Sequence, residues 1–270
     1  MASITLSDGA TLYYEQHGDT GPALFLCTGL GGLASFWQEY LPDLTRDFRV
    51  ICYDHRGTGK STASPPPYSV EGMAGDALEL LDALGLEKVH FCGHSTGGAI
   101  GQLLAARHPA RIVSLLLAAT WGRPDPYFNR CFDCRIPLLD QVGPAAYFAA
   151  TSLLIYPADW ISRNFDLVRS IEAANVAALV HPEILKARIA AICAFDPSAE
   201  LAHIEAPTLI VSARDDMTTA AFFAQHLRDS IPGARLHMLD WGAHLFPIVA
   251  KDVFAPILMD WLAEQSAKIS

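Results

Sequence analysis

The stretch Val89-His90-Phe91-Cys92-Gly93-His94-Ser95-Thr96-Gly97-Gly98-Ala99-Ile100 places a serine between two glycines, each two residues away. It reads as a short apolar strand, a sharp turn at Ser95 and the start of a helix. The spacing Gly93-x-Ser95-x-Gly97 suits a strained strand-to-helix elbow. Side chains at either glycine would collide with the crossing strand and helix. The Ser95 hydroxyl would project from the sheet at a helix N-terminus, whose free amides favour developing negative charge. A serine is a poor nucleophile at neutral pH, so it needs a base and a group that orients the base. Without those partners the same residues describe only a Gly/Ser-rich turn.

Two loops further along the chain supply partners. The strand Thr208–Val211 runs into Ser212-Ala213-Arg214-Asp215-Asp216, and the strand Ala234–Leu239 into Asp240-Trp241-Gly242-Ala243-His244. In sheets of alternating strands and helices, reactive groups gather at the carboxyl ends of the strands. The chain order Ser95, Asp216, His244 therefore proposes nucleophile, orienting acid and base, with Asp215 as the alternative acid. Of the 10 histidines, only His244 combines this loop position with this order. His94 is expected to point away from Ser95, as a packing residue or a support behind the catalytic groups, His55 to serve loop structure, and His237 to lie in a strand.

The elements that must hold these groups follow from periodicity. Residues 3–7 and 11–16 alternate as a hairpin, and Ala23–Cys27 and Arg49–Tyr53 are short apolar runs expected to be buried. A short helix is expected around 35–41, and a longer one over 69–84 that stops at Gly85. The elbow strand over 88–92 leads into the elbow helix, which continues over 99–106, and a strand follows at 112–119. From Gly122 to about Leu201 no strand is visible. Helical stretches at 124–139, 144–154, 157–180 and 182–195 carry many aromatics. Strand–helix alternation then resumes with 207–211, 219–229, 234–239 and 250–265. The pattern predicts an α/β protein with a mostly parallel central sheet flanked by helices. A helical lid over 122–201 would be inserted after the sixth strand, with residues 1–121 and 202–270 forming the core.

Two phosphate-binding patterns fail on detail. Gly29-x-Gly31-x-x-Ala34 imitates a dinucleotide fingerprint but leads into a short segment. Gly57-Thr58-Gly59-Lys60-Ser61 resembles the end of a phosphate loop, but Asp54 stands where its first glycine should be.

The 270 residues are 51% hydrophobic and 18% charged, as in globular chains, and carry a formal charge of −10. That balance disfavours nucleic acid and acidic membrane surfaces as partners. No apolar run reaches membrane-spanning length, and Met1-Ala2-Ser3-Ile4 leads directly into a strand pattern rather than a secretory leader. A cytoplasmic protein acting on a small molecule is expected, with a homodimer compatible. Cys27, Cys52 and Cys92 fall in buried strands. Cys131-x-x-Cys134 lies in a helical segment with no second pair or histidine partner, so no metal site is expected.

Together, Thr28-Gly29-Leu30-Gly31-Gly32, Asp54-x-Arg56-Gly57-x-Gly59-x-Ser61, the Ser95 elbow, Asp216 and Gly242-Ala243-His244 resemble the α/β-hydrolase superfamily over essentially the whole chain. The resemblance implies Ser95 as nucleophile, His244 as general base and then acid, and Asp216, favoured over Asp215 by its spacing from the strand, as the orienting carboxylate. It implies an oxyanion hole of the Thr96 and Leu30 backbone N–H groups, and no cofactor. The family often has histidine at the position of Thr28, a departure without consequence where the donor is backbone. Arg56 is expected to pin loops. The substrate pocket would be lined by Trp121, Phe128, Tyr147, Tyr156, Trp160 and Leu245, with Arg130 or Arg135 as clamps for an anionic substrate.

A narrower resemblance rests on Cys52-Tyr53-Asp54-x-Arg56-Gly57-Thr58-Gly59, Arg130-Cys131-Phe132 and Tyr156-Pro157-Ala158-Asp159-Trp160. These are similar to aminoacrylate hydrolases of pyrimidine degradation, which implies C–N hydrolysis with release of ammonia. Some members of that family lack the elbow serine that this chain keeps. The intact Ser95, His244 and Asp216 therefore put serine-dependent cleavage of a small carboxylic ester first and C–N hydrolysis second. C–C bond hydrolysis, cofactor-free haloperoxidase chemistry and non-catalytic ligand binding stand behind them. Dehalogenase and epoxide hydrolase chemistries would call for aspartate at the elbow.

Overall fold

The computed structural model describes residues 2–268. Eight strands, β1 (Ala2–Thr5), β2 (Thr11–His17), β3 (Ala23–Cys27), β4 (Arg49–Tyr53), β5 (Val89–His94), β6 (Ile112–Ala118), β7 (Thr208–Ala213) and β8 (Arg235–Leu239), form one sheet in the order β1-β2-β4-β3-β5-β6-β7-β8. Only the β1–β2 and β2–β4 pairings are antiparallel. The chain passes from β3 outward to β4 and then returns to pair β5 on the other side of β3. This reversal opens a crevice at the carboxyl ends of β3 and β5, where such sheets bind ligands.

The buried strands divide their side chains between two cores. On β3, Leu24 and Leu26 face a cluster that includes Trp37, Phe254, Leu258 and Trp261. Phe25 and Cys27 face the opposite cluster, which takes in helices α1 (Val70–Ala83) and α2 (Thr96–Arg107) and reaches Trp121 and Phe128. Ser69 caps α1 by accepting the Gly72 N–H at 2.9 Å.

Helix α2 starts at Thr96, directly after the elbow serine. Thr96-Gly97-Gly98 is a poor helix start, since each glycine costs about 1 kcal/mol relative to alanine. Close packing overrides that propensity: a Cβ on Gly98 would stand 2.7 Å from the Thr120 Cβ, so only glycine lets the helix lie this near the sheet.

Between β6 and β7 the described chain has no strand and runs through the helices α3 (Pro126–Asp133), α4 (Ile136–Gln141), α5 (Pro144–Ile155), α6 (Ala158–Arg163), α7 (Phe165–Ala178) and α8 (Pro182–Ala194). Two of the expected stretches are each split in two. Pro137 cannot donate to the turn before it, which separates α3 from α4. Asn164 leaves helical geometry with ψ 30° and donates its side-chain amide to the Trp160 carbonyl at 2.9 Å, which ends α6. Helices α9 (Ala221–Ser230) and α10 (Lys251–Ser266) complete the core. Among the described residues no helix is long and apolar enough to cross a membrane.

Candidate active site

Ser95 lies at the carboxyl end of β5 with φ 53° and ψ −117°. A non-glycine residue there costs about 1–3 kcal/mol and persists only where its surroundings over-determine it. They do so here. The Ser95 N–H donates to the Ala118 carbonyl at 2.8 Å, and its own carbonyl accepts Gly98 N–H at 2.9 Å and the Thr120 hydroxyl at 2.8 Å. The glycines meet the steric demand expected of them. A Cβ on Gly93 would lie 2.3 Å from the Gly97 carbonyl oxygen, and one on Gly97 the same distance from that of Cys27.

The structure brings Ser95, His244 and Asp216 together. Ser95 Oγ and His244 Nε2 are 3.0 Å apart, and His244 Nδ1 lies 2.9 Å from Asp216 Oδ2. Asp216 Oδ1 accepts the N–H groups of Thr218 and Thr219, at 2.7 and 2.9 Å, while the Thr219 hydroxyl donates to Oδ2 at 2.7 Å. Burial by itself would raise the Asp216 pKa. The neighbouring His244 and the donated hydrogen bonds outweigh it and hold the carboxyl below its ordinary range. The anion therefore faces the Nδ1–H tautomer of His244, leaving Nε2 free to accept the Ser95 proton. Asp215 plays a different part. Its carboxylate accepts Gly242 N–H at 3.2 Å and Ala243 N–H at 2.9 Å, shaping the loop that presents His244.

Opposite the serine, the turn after β3 packs so closely that a Cβ on Gly29 would lie 3.1 Å from Ser95 Cβ. The backbone N–H groups of Leu30 and Thr96 bond no acceptor among the described residues, so both remain available to an oxygen bound beside Ser95. Behind this turn Asp54 accepts Ala34 N–H at 2.8 Å and Lys60 N–H at 2.9 Å. Gly59 is required there, because a Cβ would fall 2.2 Å from the Asp54 carboxylate. The residues that imitate phosphate loops thus brace one another. Arg56 is the loop pin expected of it, bridging Asp76 at 2.6 Å and Asp8 at 2.5 Å.

Most of the expected pocket residues turn inward. Trp121 stacks on Phe128 with centroids 4.5 Å apart, Tyr147 is buried, and Tyr156 stacks on half-exposed Trp160 at 4.8 Å. Half-buried Leu245 donates its N–H to the Ile155 carbonyl at 3.0 Å, tying the His244 loop to α5. Arg130 is a correction. Asp125 caps α3 at Tyr127 N–H, so Phe128, Cys131 and Phe132 form the inward face and Arg130 is left exposed. Arg135 is buried instead. It donates to the Cys131 carbonyl at 2.6 Å and the Thr151 hydroxyl at 3.0 Å, lies over the Phe132 ring, and has an unpartnered Nη2. Cys131 and Cys134 are not bonded to each other.

Two contributors, Thr219 and Arg188, escaped the sequence reading, while His94 takes the supporting role the sequence suggested. Thr219 became legible only once the Asp216 turn had closed. His94 does pack away from Ser95, against Phe36, but its Nε2–H also donates to the His244 carbonyl at 2.9 Å. Burial pushes its pKa down to about 3, so it stays neutral. Arg188, unremarkable in sequence, reaches from α8 to the Leu30 carbonyl at 3.1 Å.

Residues 22–142 match a family model described as the alpha/beta hydrolase fold. "Putative carbamate hydrolase RutD" from Stutzerimonas stutzeri is 43% identical over 263 residues, covering 96% of this chain and 99% of that protein. The chain belongs to the α/β-hydrolase family. The protein of the same name from Caulobacter vibrioides is 41% identical to this hydrolase, with 97% and 99% covered. Among solved structures, a hydrolase from Pseudomonas aeruginosa PA01 superposes with a TM-score of 0.87 at 34% identity, covering 97% of each chain. The enol-lactonase from Burkholderia xenovorans LB400 gives a TM-score of 0.88 at 30% identity, with 97% of this chain and 100% of that one covered. The fold and these relatives make the chain an enzyme of the hydrolase class.

Proposed function

We propose that this hydrolase cleaves the C–N bond of a small carbamate-like compound and releases ammonia, with Ser95 as the nucleophile. The observation that carries the reading is the unbroken Ser95–His244–Asp216 hydrogen-bond chain, in a protein 43% identical over 96% of its length to a protein named as a carbamate hydrolase. His244 Nε2 takes the Ser95 proton as the Oγ–C bond forms, and the negative oxygen settles against the Leu30 and Thr96 N–H groups. His244 then passes that proton to the nitrogen, the C–N bond breaks and ammonia departs. Water, deprotonated by His244, attacks the acyl carbon, and Ser95 leaves with the returned proton. Asp216 orients the imidazole and stabilises its cation throughout. No metal or organic cofactor enters these steps.

Residues 122–201 act in this account as a lid over the core formed by 1–121 and 202–270. Phe128, Tyr147, Tyr156 and Trp160, with Trp121 and Leu245 from the core, favour a small substrate. Buried Arg135, which pairs with no carboxylate among the described residues, is the candidate contact for an anionic group. The six free cysteines suit a reducing cytoplasm.

Residue chemistry alone ranks ester cleavage first, whereas the names of the relatives favour C–N hydrolysis. Ester or lactone cleavage stays as the second reading, supported by the intact serine and by similarity to an enol-lactonase at 30% identity. The deciding assay follows ammonia release from carbamate and from freshly generated 3-aminoacrylate, beside p-nitrophenyl acetate. Accelerated ammonia release with slow ester turnover is expected. Fast ester turnover with no acceleration of ammonia release would transfer the assignment to the second reading.

A further inference from the structure

Arg188 on α8 has only 1% of its surface exposed. Its Nη1 donates to the Arg56 carbonyl at 2.7 Å, and its Nη2 to the Leu30 carbonyl at 3.1 Å and to His55 Nδ1 at 3.2 Å. Its Nε–H is buried without a partner. The nearby carboxylates are engaged elsewhere, Asp54 by the amides of Ala34 and Lys60 and Asp76 by Arg56, and no carboxylate pairs with Arg188 among the described residues. Burial lowers its pKa to about 10, which leaves it charged at neutral pH. A buried cation served only by neutral acceptors is costly. The fold retains it at one place, against the turn that packs on Ser95 through Gly29. A Cβ on Gly32, in that same turn, would stand 3.1 Å from Arg188 Nη2, so the guanidinium is threaded into it.

We propose that Arg188 is a positioning residue for the oxyanion turn: carried on the helical insertion, it holds the Leu30 carbonyl, in the Leu30–Gly31 peptide, and so fixes the backbone of Leu30, whose N–H in the preceding Gly29–Leu30 peptide is offered to an oxyanion on Ser95. The proposal rests on the hydrolase reading above. Because Arg188 belongs to the insertion and Leu30 to the sheet, the turn is complete only when the insertion is seated.

The test compares wild type with Arg188→Met and Arg188→Lys on two p-nitrophenyl esters of similar size, one neutral and one bearing a carboxylate. It adds inhibition by a trifluoromethyl ketone, which forms an oxyanion on serine, and by acetate, which does not. Arg188→Met is expected to lose kcat by about 10- to 100-fold, less than deletion of an oxyanion donor, with KM within about threefold. The loss should be equal on both esters, and the ketone should weaken in step with kcat/KM while acetate binding holds. Should Arg188→Met fail to fold, Arg188→Lys carries the test, with an expected loss of about fivefold or more in kcat at an unchanged melting temperature. An unaltered kcat in the folded variant, a change confined to KM, or equal weakening of ketone and acetate would overturn the proposal. A loss confined to the anionic ester would also overturn it, since Arg188 would then be a counter-charge for substrate. A wild type inactive on esters, carbamate and aminoacrylate would sink the hydrolase reading itself; an active wild type with an unaffected variant sinks only this inference.

Discussion

The carboxyl end of the sheet and the helical insertion above it obey different rules. At the sheet end, position is set by backbone geometry: a strained serine, glycines that admit no Cβ, carboxylates capped by amides and an imidazole held at both nitrogens. In the insertion, position is set by side-chain packing, through stacked rings, buried arginines without carboxylates and helices broken at Pro137 and Asn164. Chemistry that tolerates little displacement sits where the backbone enforces it. In the proposed account, substrate choice falls to the insertion, where a few side chains can change without unfolding the sheet.

The largest expected contrast is within the sheet end, between adjacent carboxylates. Asp216→Asn removes the anion that fixes the His244 tautomer and should cut kcat by about 10,000-fold. Asp215→Asn keeps an acceptor for the loop amides and should cost about tenfold or less. Steady-state kinetics on both variants check this, and comparable losses would mean that the two acids share the role. Gly97→Ala drives a methyl into the Cys27 carbonyl. A destabilisation of about 3 kcal/mol is expected, seen in calorimetry as a melting temperature lower by roughly 6–12 °C.

Substitutions in the insertion should instead separate binding from turnover. Phe128→Leu loosens the stack on Trp121 and should raise KM by about three- to tenfold, with kcat within about threefold of wild type. A collapse of kcat there would erase the distinction between the two regions.

The smallest effect concerns pH. His94 and His90 have pKa values lowered to about 3 and about 4 by burial, so below about 6.5 the unfolded chain binds protons that the folded protein refuses. Stability is therefore full above about 6.5 and declines as pH falls toward 3. Asp216, with its lowered pKa, adds to the loss only below the ordinary aspartate value of 3.8. His94→Gln should make the decline of melting temperature between pH 6.5 and 4 shallower; an unchanged slope would show that His94 does not contribute.

The same division explains what could be read from sequence. Ser95, Asp216 and His244 were legible because each sits in a short pattern fixed by strand ends and glycines. The strands were legible because β3 is apolar throughout and β6 is broken only by Ser114, while the elbow pattern marks the end of β5. Arg130 was misplaced because its inward or outward direction depends on where Asp125 starts α3, a phase that composition does not reveal. Arg188 left no signal at all. Its significance arises only when α8 folds back onto a turn more than 150 residues earlier in the chain.

The most direct measurement of the central claim pairs intact-mass analysis after a fluorophosphonate probe with rates of ammonia release, on wild type and Ser95→Ala. The account predicts a single adduct on wild type and none on Ser95→Ala, with release slowed by about 10,000-fold or more in the variant. Ammonia release at the wild-type rate from Ser95→Ala would contradict it, transferring the reaction to a water activated by His244 and leaving Ser95 without a covalent role.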